Sequence, residues 1–488
     1  MRYQLTFVPF AIVAAVLVAA GSSPSPSAIA DESIVQVSDD PFTNPTSQHR
    51  TEVEPDTFAF GSTWVSAFQV GRSFAIGSSG IGFATSSDRG RSFVQGMLPG
   101  VTTFNEPPGP YDFASDASVA FDRYHQVWLI SYIAVRLSPT GGIGVVDVLV
   151  SRSHDAVHWD LPVPVATLSA SLDKSWTVCD NSPPSPFFGT CYTEFTNKSL
   201  KDLPLLVSTS SDGGLSWGAP QTAGNGNAGQ PLVQPSGRVV MPFNGLCGGF
   251  VQVCAVSSDD GGMSWSEPVV ISSPGFIFHP TAPVLRTPPL PSAAIDREGR
   301  IYVVWKDCRF EPFCDPAHRV SSTDDLVFST SDDGVSWSEV RRIPLDPVNS
   351  NIDHFLPGIG ADPVSAGDKA RLALTYYFLK QPADCTNPAD CPCSNPAKCE
   401  LYVGFVSSTN GGETWTSPDV LAGPMQLHWL PQTDQGRMVA DYISTSVLNG
   451  GALVLPAFAV ALPPEDGTLH VAIFTARREV RDGDIAMK

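Results

Sequence analysis

The sequence predicts an all-β chain assembled from repeated units, either a propeller or a solenoid, and three observations lead there. A short phrase, Ser/Thr-x-Asp-x-Gly-x-x-Trp, recurs along the chain. Each copy lies between two short strand-like runs, such as 204–209 before the copy at 210–217. No long stretch of the 488 residues sustains a helical period, while 41 Gly and 44 Pro suit many short strands and turns.

The phrase has a mechanical reading. Its Asp accepts hydrogen bonds from backbone N–H groups in a tight turn, its Gly supplies positive φ, and its Trp packs under the hairpin. Two copies are complete, Ser210 to Trp217 and Ser258 to Trp265, and Thr330 to Trp337 follows the same rule. Ser86 to Phe93 closes on Phe, Ser408 to Trp415 carries Asn410 in place of the acid, and Ser153 to Trp159 is one residue short and lacks the Gly. The acid position falls on Asp88, Asp155, Asp212, Asp260, Asp332 and Asn410. The pattern resembles the Asp-box, or BNR repeat, of sialidases and related β-propellers.

That resemblance implies four-stranded blades with each box between the third and fourth strands. Six blades then run roughly 52–97, 117–166, 174–221, 230–271, 292–343 and 357–421. Three further strands without a box, near 438–447, 452–460 and 469–476, are left over, and Ile34 to Val37 is a spare strand near the other end. Together they make a seventh blade closed by the N-terminal strand, which covers an edge that would otherwise be exposed. Seven blades are therefore expected, with six as the alternative. In this topology the boxes stabilise turns on one face, and the chemistry belongs to the loops of the other.

Residues 1–30 read as a signal peptide: Arg2, an apolar run from Phe7 to Ala20, and the small-x-small site Ala28-Ile29-Ala30. Residues 31–488 are then one propeller domain, secreted to the extracellular space or periplasm, with no membrane span in the mature chain. Ten cysteines suit an oxidising compartment. The local pairs are Cys179–Cys191, Cys247–Cys254 and Cys308–Cys314. Cys385, Cys391, Cys393 and Cys399 close two more bridges of open connectivity. A net charge of −20 argues against nucleic acid and anionic membranes as partners.

The loop face collects candidates: His49-Arg50, His279 and Arg286, Asp353-His354, and His428 with Arg437. It also holds a loop with Lys306, Asp307, Arg309, Glu311, Asp315, His318 and Arg319. Four histidines before first strands raise a shared metal or ligand site. Acidic groups at Glu52, Glu54, Asp56 and at Asp173, Asp180 suit paired-carboxylate glycoside chemistry or a hard cation such as calcium. No cofactor and no metal ligand set is assigned.

The sialidase resemblance implies roles for particular residues. Arg50, in His49-Arg50-Thr51-Glu52, stands in place of the family's first substrate-gripping Arg, ahead of a strand ending at Arg72. Arg309 follows Ile301 to Trp305 as the second Arg does, and Arg437 is the third. Tyr442 begins the last blade as the nucleophilic Tyr does, with Glu194 as its activating base. Asp307 is the alternative, two-carboxylate catalyst. Residues 73–85 contain no Asp or Glu where the family carries its acid. The strand pair Asp296 to Asp307, with Asp173-Lys174-Ser175-Trp176 and Asp441-Tyr442, is most similar to divergent bacterial sialidase-family propellers. The implied function is an exported glycoside hydrolase acting on a glycan or glycoconjugate. The alternative is a non-catalytic propeller that binds protein or glycan. The first reading requires Arg50, Arg309 and Tyr442 to meet in one pocket.

Overall fold

The computed structural model describes residues 34–486 apart from 169, 248–249, 273–284, 312–313, 315–322, 351, 381–398 and 449–451. The expected signal peptide, His279, Asp315, His318, Arg319, Cys385, Cys391 and Cys393 lie outside the described residues. Within them the chain is all-β, relieved by short 3-10 turns at Gly367–Lys369 and Leu427–Trp429.

The strands form successive antiparallel meanders, four strands at a time. The first is Glu52–Phe60, Thr63–Arg72, Ser78–Ser86 and Val94–Met97. Others follow over residues 113–168, 172–227, 232–270, 292–342 and 352–426. Ser444–Val447, Leu453–Glu465 and Thr468–Ala476 form three strands of one more, and Ile34–Gln36 pairs antiparallel with Thr468–Ala476. The first strands pack on one another in chain order, and Ser444–Val447 packs back on Glu52–Phe60. The sheets thus curl propeller-like around an axis lined by first strands.

Period-2 alternation explains why sheets stack side by side. In Ile301–Asp307 every residue is buried. Tyr302 and Val304 enter the core shared with the following meander, with Leu372 and Leu374. Ile301, Val303 and Trp305 enter the core shared with the preceding one, with Val240 and Val253. A strand covered on both faces reads as a continuous apolar run, as this one does.

The repeated turns behave as bonded hairpin ends. Asp88 Oδ1 accepts the N–H groups of Arg91 and Ser92, both at 2.9 Å, and Ser86 Oγ accepts Gly90 N–H at 2.7 Å. Asp212, Asp260 and Asn410 accept N–H groups from Ser216, Ser264 and Thr414 at 2.9–3.0 Å. Asp155 accepts those of Val157 and His158 at 2.9 and 2.8 Å. The fifth copy corrects the expected register. Asp333, not Asp332, accepts Val335 and Ser336 N–H, at 2.8 and 2.7 Å. Its Ser is Ser331, so the copy is one residue short, like that at Ser153. Asp332 instead pairs with Arg300 at 2.6 Å.

Three bridges form as the local spacing implied: Cys179–Cys191, Cys247–Cys254 and Cys308–Cys314. Cys399 is also disulfide-bonded.

Candidate functional site

The site grows from one backbone device used several times. The first strands slip register between Val53 and Asp56, Ser115 and Ser118, Asp173 and Trp176, and Phe355 and Gly358. At each slip one non-glycine residue takes left-handed backbone: Glu54 (φ 55°), Asp116 (51°), Lys174 (55°) and Leu356 (48°). A bulge of this kind re-aims a side chain out of the ladder. Three of the four re-aimed side chains are charged, and they meet.

Lys174 Nζ is the meeting point. It lies 2.5 Å from Asp441 Oδ2, 3.1 Å from Asp116 Oδ1 and 4.0 Å from Glu54 Oε1, and all four groups are buried. Asp441 also pairs with Arg286. Arg286 is held by its own backbone, whose N–H donates to Arg437 O at 2.8 Å. Gln69 donates to Glu54. Arg72 donates to the Gly77 carbonyl and lies 3.3 Å from Met438 Sδ. Lys198 pairs with Asp173 at 3.1 Å.

Glu54, Gln69, Arg72, Asp116, Lys174 and Arg286 line a cleft of about 170 Å³. Its walls come from the ends of second strands and from connections entering first strands, so it lies on the face opposite the repeated turns. Below it a second, more apolar cavity of about 30 Å³ is lined by Trp176, Leu290, Leu356 and Tyr442, with Lys174 shared by both.

The carboxyls of this cluster are driven apart. Burial raises Glu54 to about 8, reinforced by negative Asp441 and opposed by Lys174. Burial also works against the Asp441 anion, but Lys174 and Arg286 overcome it and hold its carboxyl well below the usual range. Burial opposes the Lys174 ammonium too, and Asp116, Asp441 and Glu54 outweigh it, so Lys174 stays charged. At neutral pH the site therefore holds a protonated Glu54 beside an ionised Asp441. Such a divergence is how one environment provides an acid and an anion together.

Of the residues read from sequence, Arg72 stands in the cleft and Tyr442 in the cavity below. The Tyr442 hydroxyl donates to the Ala117 carbonyl at 3.2 Å, and its ring meets Trp176 edge-on at 5.5 Å. Burial and the surrounding acids Glu54 and Asp116 push its phenol well above its ordinary value. Glu194 is turned elsewhere: it is buried, accepts from Thr196 Oγ1 at 3.5 Å, and is bonded by the Gly229 backbone.

Arg50 and Arg309 do not join Tyr442. Arg50 pairs with Glu465 at 2.9 Å and with His470 at 2.9 Å on a partly exposed edge. Arg309 is pinned to Asp307 at 2.6 Å and Ser272 at 2.6 Å, and that pairing also occupies the Asp307 carboxylate. Arg437 donates to the carbonyls of Leu430 and His428 at 2.7 and 3.2 Å. His49 Nδ1 bonds Phe42 O at 3.1 Å. His354 lies against Tyr376 and Phe378, and His428 against Trp429, so His49, His354 and His428 share no site among the described residues.

Sequence reasoning missed Asp116, Gln69 and the central role of Lys174, and gave Asp441 and Arg286 no chemistry. A signal existed. Glu54-Pro55-Asp56, Asp116-Ala117-Ser118 and Lys174-Ser175-Trp176 occupy the same offset within successive first strands, and aligning those strands would have brought the charges into one ring.

No family profile matches the chain, and no curated protein matches it. Solved structures with similar strand layouts include the Hadza microbial sialidase Hz136, at 12% identity and a TM-score of 0.45, covering 88% of this chain and 66% of that one. The present chain thus spans just under two thirds of that protein. A PL25 ulvan lyase bound to a glucuronate–sulfated rhamnose unit is 11% identical, with a TM-score of 0.49 over 91% of this chain and 97% of that one. Trypanosoma rangeli sialidase in complex with the inhibitor DANA is 10% identical, with a TM-score of 0.39 over 67% and 53%.

Proposed function

We propose that the chain is an exported, single-domain propeller of seven blades, closed by Ile34–Gln36, whose central cleft cleaves an acidic glycan. The observation that carries this reading is the Lys174-centred cluster, in which Glu54 is neutral and Asp441 ionised within 4.0 Å of one ammonium. Glu54 serves as proton donor to the leaving oxygen. Asp116 is the base that takes a proton from the water adding to the reacting carbon as the leaving oxygen departs, with Lys174 fixing both. Arg72 and Arg286 give a cationic wall inside a chain of net charge −20, suited to a substrate carboxylate.

The second reading is a glycan-binding module without turnover. It is favoured by Tyr442, whose hydroxyl bonds a backbone carbonyl rather than a carboxylate base.

Purified protein assayed against a panel of aryl glycosides, with uronides and a sialoside included, tests the choice. The enzyme reading expects turnover of an acidic glycoside that falls about 10²–10⁴-fold in Glu54→Gln. Binding of acidic glycans without turnover of any glycoside supports the module. No binding and no turnover sinks both readings.

A further inference from the structure

A second charged cluster joins two meanders away from the cleft. Asp325 opens the strand Asp325–Ser331, and Arg342 ends Arg341–Arg342 in the same meander. Asp346 lies in the connection that follows, and His354 lies on Ile352–Ala361 of the next meander. One ligand atom from each of Asp325, Asp346 and His354 falls within 4.8 Å of the others. Arg342 reaches Asp325 at 2.7 Å and Asp346 at 2.5 Å.

The guanidinium leaves part of the cluster unsatisfied. His354 is 3% exposed, yet its Nδ1 has no hydrogen-bond partner among the described residues, and Asp325 Oδ2 has none either. Folded proteins rarely leave buried polar atoms in that state, and each instance calls for an explanation. An imidazole nitrogen and two carboxylate oxygens, from two strands the fold already holds side by side and the connection between their meanders, form a ligand set for a borderline divalent ion. The nitrogen donor favours zinc over calcium. Asp346 as a residue is partly exposed although its side chain is only 7% exposed, so an ion enters where the Asp346 connection meets solvent.

We propose that Asp325, Asp346 and His354 form a site for one zinc-class divalent ion that clamps the 292–342 meander to the 352–426 meander. Arg342 acts as the resident cation of the empty site. Zinc ligands sit at about 2.0–2.2 Å from the metal and hence roughly 3.3 Å from one another. Loading therefore draws the Asp346 connection inward and swings Arg342 out. The ion needs no change in oxidation state and takes no part in the cleft.

The test is calorimetric titration of the full, chelator-treated chain with Zn²⁺, with bound metal counted after dialysis. Wild type is expected to hold one ion more than His354→Phe, which keeps the ring packing on Tyr376 and Phe378 but removes the nitrogen. Saturating Zn²⁺ should raise the wild-type melting temperature by about 3 °C or more. Arg342→Met, freed of the competing cation, should bind at least tenfold tighter. Equal stoichiometry in wild type and His354→Phe overturns the proposal, as does binding by Arg342→Met alone. If His354→Phe does not fold, Asp346→Asn at the partly exposed connection gives the same comparison.

Discussion

At Asp212 a carboxylate stands near solvent and accepts Ser216 N–H at 3.0 Å and the Ser216 hydroxyl at 2.5 Å. Burial works against its ionised form, but the Ser216 hydroxyl and N–H, with Ser210 and Leu215, together outweigh it and lower its pKa. On the other face Glu54 is buried, receives Gln69, and is pushed up to about 8. The first acid holds a turn together through neighbours four residues away. The second is held in an unfavourable state by residues 62 to 387 positions distant, Asp116 and Asp441 among them. A carboxylate's role follows from what surrounds it, and only the first kind of surrounding is written locally.

That comparison can be broken in order of expected effect. Lys174→Met should cost the most, about 3–5 kcal/mol in urea unfolding, because it strips the buried carboxylates of their shared cation. A loss under about 1 kcal/mol would show that the cluster is hydrated and its charges independent.

The pH dependence should come next. Glu54 has a native pKa of about 8 against an ordinary value of 4.5, so the native state binds more protons between those limits. Its contribution to stability therefore falls as pH rises from about 4.5 to 8 and is level outside that window. Glu54→Gln should flatten the slope of unfolding free energy across pH 5–8 relative to wild type. Activity carried by the protonated acid should decline as pH rises through about 8. An unchanged stability slope in the variant would place Glu54 in water.

Asp212→Ala should cost about 1 kcal/mol, the worth of ordinary hydrogen bonds at one turn, and leave turnover unchanged. A loss of activity would link the two faces. The smallest effects are expected where the sialidase resemblance placed its machinery. Arg50→Ala should stay within about 0.5 kcal/mol of wild type, since its ion pair is exposed. Tyr442→Phe should keep activity within about fivefold, where loss of a covalent nucleophile would cost far more.

The same contrast explains what could be read from the chain. Strands and turns were legible because their signals repeat within a few residues, as in Ser258 to Trp265. The local disulfides were legible for the same reason. Asp332 was misassigned because two adjacent acids fit one pattern, and only the hairpin geometry selects Asp333. Arg50 and Arg309 were chosen by their place in a strand, but Glu465 and Asp307 neutralise them from positions no local pattern reveals. The Lys174 cluster stayed hidden because its members are spread over 388 positions, from Glu54 to Asp441, and become neighbours only when the sheets gather around the axis.

The left-handed backbone at Glu54, Asp116 and Lys174 has an evolutionary consequence. Each such non-glycine residue carries a conformational penalty of about 1–3 kcal/mol. Glycine or asparagine would sit there with less strain. Variants selected for heat resistance alone would thus be drawn toward Gly at position 54, where the lost side chain is a reluctantly buried acid. They would gain durability while shedding the proposed proton donor. Thermal selection without a functional screen would then yield a sturdier, inert propeller.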